Sequence, residues 1–373
     1  MSNYTIREIS SKCDIRKFIK FPDRLYRDCP QYVPALHGDQ MKSLTSCATL
    51  KYCKRKLWMV YDEKGEIVGR ISGMINPRYN EFYSKKRARF GWFDTIDDIE
   101  VARLLLSTAE AWAREEGMTE IHGPLYYNTM GKQGMLVEGF ENIPVFNCLY
   151  NFSYYKDFVE QLGYEKEFDW IEQKVDSTQG APEKLRRVSA ALMERYGLHI
   201  GSVERLKKDK AKVREFFKAY NESFTGTVQN FVPFTEEEMD EEAKAFFPFL
   251  DDRYSAVILD SEDNLVAFGI TIPDISKALQ KANGHLFPFG WFYLLRALKN
   301  AEVVDMMLNG AVPSWQHTGI SSILHTIIGN NFATGGTKVA ITNPQIESNG
   351  AINVWNRYPT ELHMRRRCYL KQL

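Results

Sequence analysis

Two segments of the chain, one in each half of the sequence, carry the same pattern of apolar and polar residues. Residues 58–75 read WMVYDEKGEIVGRISGMI, and residues 254–272 read YSAVILDSEDNLVAFGITI. Each has an apolar run, a charged turn and a second apolar run, which together predict a β-hairpin. Asp62 and Asp260 take matching places in the two turns. The pattern therefore predicts two copies of one fold, and a length of 373 residues suits two domains.

The segments around each hairpin predict sheets of mixed strand direction with helices on both faces, an α/β class with α+β character. In the first half we expect strands at 88–94, 119–125 and 168–175, and helices at 99–117 and 154–162. In the second half we expect helices at 208–224, 236–249 and 319–332, and strands at 302–312, 338–342 and 363–370. A polar segment with Gly and Pro at 176–183 marks a boundary. This predicts one domain over residues 1–178 and another over residues 184–373.

Composition limits the partners and the compartment. The 48 Lys and Arg residues balance the 48 Asp and Glu residues, so the chain lacks an overall positive charge for nucleic acid or an anionic membrane. Residues 1–10 contain no apolar signal region, and no apolar run approaches the roughly 18 residues of a membrane span. Six cysteines without a C-x-x-C motif indicate neither a disulfide framework nor a zinc site. We therefore expect a cytoplasmic protein with no metal, no membrane partner and no nucleic-acid partner.

The segment at 311–321 reads AVPSWQHTGIS and lies between a predicted strand and a predicted helix. The N-terminus of a helix presents unpaired backbone N–H groups and the positive end of the helix dipole, both of which suit a phosphate. Gln316 and His317 add side-chain donors, and Thr318 and Ser321 add hydroxyl groups. The alternative is a strand-to-helix turn in which Gly319 serves only the backbone.

This segment resembles the pyrophosphate-binding motif of the GNAT superfamily of acyl-CoA N-acyltransferases. Gln316 and Gly319 match the family pattern of Gln or Arg, two residues, Gly, one residue, and Gly or Ala, and Ser321 departs from it. Pro313 and Trp315 match the residues that precede the motif. The resemblance implies two GNAT-like domains, with acetyl-CoA or another acyl-CoA as substrate and no metal. It implies a cofactor-binding set of Ala311, Val312, Gln316, His317, Thr318, Gly319, Ile320, Ser321 and Asn349.

The same resemblance implies two catalytic residues. Asp305 lies on the strand before the loop, where several family members have a catalytic glutamate, and the shorter aspartate would act as base through a water. Strict alternation along the strand places Asp305 and Asn309 on a side that borders a cleft. Trp355 stands where the family usually has the tyrosine that protonates the leaving thiolate, so Tyr358 is the candidate acid. The alternatives are a salt-bridged strand residue for Asp305 and a packed helix-end residue for Tyr358.

The first half lacks the phosphate loop, because residues 95–100 read TIDDIE and carboxylates repel a pyrophosphate. We therefore predict that this GNAT-like domain is degenerate and helps to shape the acceptor site. The glycine-rich run at 122–144 is either an acceptor-binding loop or a structural loop. The apolar segment at 287–298 predicts burial in a core or a domain interface, with a pocket for an acyl chain or a hydrophobic acceptor as the alternative.

The sequence as a whole predicts an acyl-CoA-dependent N-acyltransferase. The expected reaction transfers an acetyl group to the amine of a small molecule or peptide, by direct attack of the nitrogen on the thioester. One alternative is a catalytically inactive GNAT-like protein that binds CoA or acts as a scaffold, which the departures at Ser321 and Trp355 favour. A second alternative is a transferase that takes its acyl group from aminoacyl-tRNA.

Overall fold

The computed structural model of the chain describes residues 4–299 and 301–373, except for the side chains at 351, 353, 356 and 357. The first repeat consists of β1 Thr5–Glu8, α1 Lys12–Leu25, α2 His37–Thr45, β2 Lys54–Tyr61, β3 Ile67–Ile75, α3 Pro77–Phe82, β4 Arg87–Thr95, α4 Ile99–Glu115, β5 Glu120–Gly123, β6 Met135–Glu138, α5 Tyr154–Gln161 and β7 Glu165–Asp176. The second repeat consists of α6 Glu183–Tyr196, β8 His199–Gly201, α7 Val203–Leu206, α8 Lys210–Phe224, α9 Glu236–Phe246, β9 Ala256–Leu259, β10 Leu265–Pro273, α10 Ser276–Ala282, α11 Gly290–Ala297, β11 Val303–Ala311, α12 Ile320–Gly335, β12 Val339–Thr342, β13 Gln345–Ile346 and β14 Thr360–Gln372. This alternation of strands and helices confirms the predicted α/β class.

The two predicted hairpin turns are built by the same hydrogen bonds. In the first turn, the Asp62 carboxylate accepts from the backbone N–H groups of Lys64 at 2.9 Å and Glu66 at 2.8 Å. In the second, the Asp260 carboxylate accepts from the N–H groups two and four residues later, at 2.9 and 3.0 Å. An aspartate in this place stabilises a turn because its short side chain reaches backbone donors just ahead of it. The shared turn chemistry supports the internal duplication.

The chain folds into two compact units, and each is built from more than one stretch of sequence. Unit 1 contains Met1–Ile171, Ser276–Tyr293 and Met364–Leu373, and unit 2 contains Glu172–Ile275 and Leu294–His363. In unit 1, β1 to β4 pair antiparallel in chain order and β4 pairs parallel with β5. In unit 2, β8 to β11 pair antiparallel in chain order and β11 pairs parallel with β12. The same order of strands recurs in both units.

The units differ from the predicted domains 1–178 and 184–373 because the last strand of each repeat completes the other unit's sheet. In unit 1, β14 pairs antiparallel with β5, from Tyr369 opposite Gly123 to Gln372 opposite Glu120. In unit 2, residues 174–176 of β7 pair antiparallel with β12. Pairing between strands so far apart in the chain has no local signal in the sequence. A single boundary at 176–183 therefore does not separate the residues of the two units.

Each unit buries its own apolar core. In unit 1, Val101, Leu105, Ala109 and Trp112 of α4 are all buried, as the helical spacing predicts. In unit 2, the buried face of α12 lies on β10, where Gly269 allows close approach because a Cβ there would be 2.5 Å from Ile328. No helix in the described parts of the chain has the length and apolar composition that crossing a membrane requires.

Candidate functional site

A cleft opens in unit 2 where two parallel strands separate. β11 and β12 pair only from Val303 to Met306, opposite Val339 to Thr342. Residues 308–311 then pair with β10 alone among the described residues, which leaves one edge of β11 open. The side chains that line the cleft include Met306, Asn309, Leu324, His325, Gln345 and Trp355. An open strand edge suits an extended ligand, because the ligand can pair with the free backbone groups.

The loop after β11 presents the N-terminus of α12 without a side-chain cap. Gly319 is the N-cap residue, with φ of 89° and no side chain to accept a hydrogen bond. No described residue accepts a hydrogen bond from the backbone N–H groups of Gly319, Ile320 or Ser321. The first turn of this 16-residue helix therefore has free donors and a positive dipole end, which together suit an anion.

The equivalent helix of unit 1 is closed to anions. Its N-cap is Asp98, whose carboxylate accepts from the backbone N–H of Glu100 at 2.9 Å. A carboxylate already in this place satisfies a donor and repels a second negative charge. That only the second repeat retains an anion-binding loop stays a prediction.

Several residues of the predicted cofactor set hold the loop in shape. Gln316 Nε2 donates to the carbonyl of Ala311 at 3.1 Å, so this side chain braces the turn. Val312 donates its N–H to Val266 at 3.0 Å and accepts from the N–H of Trp315 at 2.9 Å, so both of its backbone groups are in use. Thr318 Oγ1 donates to the carbonyl of Trp315 at 2.7 Å.

Three further members of the predicted cofactor set are His317 and Ser321, which lie close to the start of α12, and Asn349, which lies elsewhere in the chain. His317 is exposed, with φ of 64°, and Ser321 is exposed in the first turn of α12. Asn349 lies just before the 3-10 turn Gly350–Arg357, where its carbonyl accepts from the N–H of Ile352 at 3.0 Å. The loop thus brings together all of the predicted set except Asn349, which the cleft does not include.

Aromatic rings and a histidine form the other wall of the cleft. Asn309 Nδ2 lies 3.4 Å from His325 Nε2, and the Trp355 ring packs edge-on at 5.0 Å from the His325 ring. Trp355 Nε1 donates to Gln345 Oε1 at 2.9 Å, which fixes the indole at this wall. The Tyr358 ring lies 6.5 Å from the His325 ring. The sequence analysis named Tyr358 as a candidate acid, and that role stays a prediction. It did not name His325, whose signal was a titratable residue on the apolar face of α12.

Asp305 does not border this cleft, which corrects the predicted facing of β11. Leu308 pairs with Ile270 and Met306 pairs with Thr271, so Met307 is an additional residue on β11. A bulge of this kind reverses the alternation beyond it. Met306 and Asn309 therefore line the same cleft, and Asp305, adjacent to Met306 on the strand, points to the opposite face. Its role as base stays a prediction without geometric support.

The Asp305 carboxyl is buried without a partner. Asp305 is 1% exposed, and neither oxygen of its carboxyl group has a hydrogen-bond partner among the described residues. Burial raises the pKa of Asp305 well above its usual range, and the nearby charges of Asp274 and Glu172 act in the same direction. The neutral carboxylic acid is thus the favoured form in the folded state.

Replacing Asp305 with leucine should stabilise the protein. An unsatisfied buried polar group costs about 1–3 kcal/mol, and leucine removes that cost at similar volume. Because the folded-state pKa lies above the unfolded-state pKa, the wild type loses stability as the pH rises above the unfolded value. The gain from Asp305→Leu should therefore be larger at pH about 8 than at pH about 4, as measured by urea unfolding. Loss of catalysis in a stably folded variant would instead support the predicted role as base.

The described residues of unit 1 contain one buried group of potential metal ligands, made of His122, Glu167 and Cys368. His122 Nδ1 lies 3.1 Å from Glu167, and Cys368 Sγ lies 3.4 Å from the same carboxylate. A positive charge is already present beside these side chains. The guanidinium of Arg87 donates to Glu167 at 2.5 Å and lies 3.4 Å from His122. Burial lowers the pKa of His122 to about 4 and raises that of the Cys368 thiol well above its usual range. A protonated thiol and a resident guanidinium do not fit a cation site.

Unit 1 also has an open cavity of about 600 Å³. On its wall, His37 Nε2 lies 2.6 Å from an Asp23 oxygen, and Tyr32 donates to the other oxygen at 3.2 Å. His37 Nδ1 has no partner among the described residues. Lys20 and Arg27 add positive charge to the lining. Sequence reasoning missed this cavity, because its residues come from α1, the following loop and α10, which are far apart in the chain.

Comparison with other proteins identifies two relatives by sequence, while no family model matches the chain. The chain is 30% identical over 383 residues to Protein YghO of Escherichia coli, covering 99% of the chain and 95% of that protein. It is 27% identical over 305 residues to Bacterial ceramide synthase of Caulobacter vibrioides, covering 80% of the chain and 77% of that protein.

Solved structures agree with the chain in fold. A tandem GNAT protein from the clavulanic acid biosynthesis pathway matches 99% of the chain and 98% of its own length, with a TM-score of 0.57 and 11% identity. A glucosamine N-acetyltransferase region of a fungal multi-domain protein matches the whole chain with a TM-score of 0.61 and 12% identity, and the chain spans 38% of that protein. At these identities the likeness shows the fold alone, and that fold is a tandem GNAT-like one.

Proposed function

The chain belongs to the family of Protein YghO and has a tandem GNAT-like fold, and from this premise we propose that it transfers an acyl group from acyl-CoA to an amine nitrogen. One observation carries the proposal. The open edge of β11 is followed along the chain by the loop that ends at the uncapped N-terminus of α12, so consecutive segments offer backbone groups first and anion donors next. Acyl-CoA has the matching order of parts, an amide-containing pantetheine arm followed by a pyrophosphate.

The pyrophosphate would lie on the first turn of α12. The free N–H groups of Gly319, Ile320 and Ser321 would donate to its oxygens, and the helix dipole would favour its charge. The backbone at Gly319 fits this role, since a Cβ there would be 3.2 Å from Leu192 and φ is in the left-handed region. His317 and Ser321 are exposed beside these donors and would extend the contact.

The acyl transfer itself would take place in the cleft between β11 and β12. The amine nitrogen would attack the thioester carbon, forming a C–N bond as the C–S bond breaks. A free amine has a pKa of roughly 10, so it must lose a proton before it attacks. His325 lies in the cleft wall and would accept that proton, and Tyr358 would return a proton to the leaving thiolate.

The relative named Bacterial ceramide synthase favours one class of acceptor. A ceramide is an amide of a fatty acid with a long-chain amino alcohol, and this relative aligns with 80% of the chain. We therefore propose a long-chain amino alcohol as the acceptor and a fatty acyl-CoA as the donor, in preference to acetyl transfer to a small polar amine.

Calorimetry with acetyl-, octanoyl- and palmitoyl-CoA tests donor binding, and mass spectrometry of mixtures with a panel of amines tests amide formation. We expect binding of CoA thioesters, weaker binding of an acyl-pantetheine that lacks the pyrophosphate, and an amide product from a long-chain amino alcohol. No heat and no thermal shift at millimolar acyl-CoA would contradict the proposal. Binding without any amide product would support the inactive scaffold, and product only from charged tRNA would support the tRNA-dependent alternative.

A further inference from the structure

Residues 286–292, which we call the apolar tip, expose a cluster of large apolar side chains. Phe287 is 78% exposed, Phe289 is 66% exposed, and Trp291 and Phe292 are close to half exposed. The sequence predicted that this region is buried in a core or an interface, and the structure differs. Large apolar side chains at this exposure are unfavourable in water, and a cluster of them indicates a binding surface.

The base of the apolar tip is held within unit 1. On α10, Ser276 Oγ donates to the carbonyl of Pro144 at 2.9 Å, and Gln280 Nε2 donates to the carbonyl of Pro30 at 2.8 Å. The carbonyl of Gly284 accepts from the N–H of His37 at 2.9 Å, and a Cβ on Gly284 would be 2.4 Å from the His37 ring. The tip is therefore presented by an ordered support, so its exposure is not that of a loose loop.

The charged residues of the segment that carries the apolar tip are all positive. Residues 276–299 contain Lys277, Lys281, Arg296 and Lys299 and no Asp or Glu, although the whole chain has equal numbers of acidic and basic residues. All four of these cations are exposed. The cavity of unit 1, whose lining includes His285 beside the tip, adds Lys20, Arg24 and Arg27, and its one acidic lining residue, Asp23, is paired with His37. A surface that combines positive charges with exposed apolar side chains is complementary to a partner that has negative charges at its surface and apolar groups beneath them.

We propose that the apolar tip docks the protein on the surface of an anionic phospholipid bilayer. Aromatic side chains with a neighbouring group of Lys and Arg are the pattern of an element that lies in the membrane interface. Phe287 and Phe289 enter the acyl-chain boundary, Trp291 lies at headgroup depth, and the lysines bind lipid phosphates. The tip is too short to span a bilayer, so the protein lies on the membrane. This inference rests on exposure and charge and is independent of the acyltransferase proposal.

Co-sedimentation of the full chain with vesicles tests the proposal. We expect binding to phosphatidylcholine vesicles that contain phosphatidylglycerol, and weaker binding without phosphatidylglycerol or at high salt. The triple variant Phe287→Ser, Phe289→Ser, Trp291→Ser should bind at least about tenfold more weakly. The control substitutes serine at Phe82, Ile200 and Phe249, which are large apolar residues about half exposed elsewhere, and should bind as the wild type does.

Quenching of tryptophan fluorescence by brominated lipid provides a second measurement, because it reports which tryptophan enters the bilayer. The other tryptophans are buried or half-buried, so Trp291 should account for most of the quenching, and Trp291→Phe should remove it while vesicle binding persists. Absence of vesicle binding by the wild type would overturn the proposal. So would equal binding by the tip variant and its control. If the tip substitutions abolish a concentration-dependent dimer and vesicles do not bind, the tip is a protein interface instead.

Discussion

Replacing Gly319 with valine is expected to weaken the binding of acyl-CoA by about a hundredfold. Gly319 has φ of 89°, a conformation that a β-branched residue does not adopt without strain. The strained turn would redirect the N–H groups of Gly319, Ile320 and Ser321 away from the pyrophosphate. A hydrogen bond to a charged group contributes about 1.5–3 kcal/mol, so losing one or two of them costs about 3 kcal/mol. That loss corresponds to roughly a hundredfold in affinity.

The matched control is Gly336→Val at the other end of the same helix. Gly336 is the C-cap of α12, with φ of 79° and open space where a side chain would extend. The Gly336→Val substitution should therefore introduce similar backbone strain without changing the N–H donors at the N-terminus of α12. Calorimetry with acyl-CoA and the thermal unfolding midpoint separate the two effects. Equal loss of affinity in both variants would assign the effect to helix stability, and unchanged affinity in Gly319→Val would exclude this turn as the pyrophosphate site.

The elements that the sequence predicted well are those specified by local patterns. The spacing of Val101, Leu105 and Trp112 was enough to place α4, because a helix that covers a sheet needs one apolar face. The two aspartate turns identified the duplication, since each turn is built within a few residues. The loop before α12 was recognised for the same reason, because Gly319 and the first helical turn are contiguous in the chain.

The features that sequence reasoning missed depend on long-range packing. The facing of Asp305 was wrong because a single additional residue at Met307 reverses the alternation, and no local pattern marks that bulge. His325 was missed because its place beside the cleft depends on the separation of β12 from β11, which no local pattern marks. The exposure of Phe287 was missed because an apolar run predicts burial unless its surroundings are known.

Replacing Arg87 with methionine should lower the free energy of unfolding by about 3–5 kcal/mol, the cost of leaving buried carboxylates without their cation. Arg87 is 6% exposed and pairs with Glu120 at 2.6 Å and Glu167 at 2.5 Å, which are themselves 16% and 12% exposed. Burial opposes the ionisation of Glu167, but the hydrogen bond from His122 and the charge of Arg87 outweigh it and lower its pKa to about 2. Methionine keeps much of the volume of arginine, so the loss reports the charge and its hydrogen bonds.

Urea unfolding followed by circular dichroism measures the effect, with Arg103→Met as the surface control. Arg103 pairs with Glu100, and both side chains are more than half exposed, so that substitution should cost less than about 1 kcal/mol. Adding Glu167→Gln to Arg87→Met should recover part of the loss, because it removes one of the stranded charges. If Arg87→Met costs no more than Arg103→Met, water must reach the carboxylates, and the His122, Glu167 and Cys368 group would then be open to a cation after all.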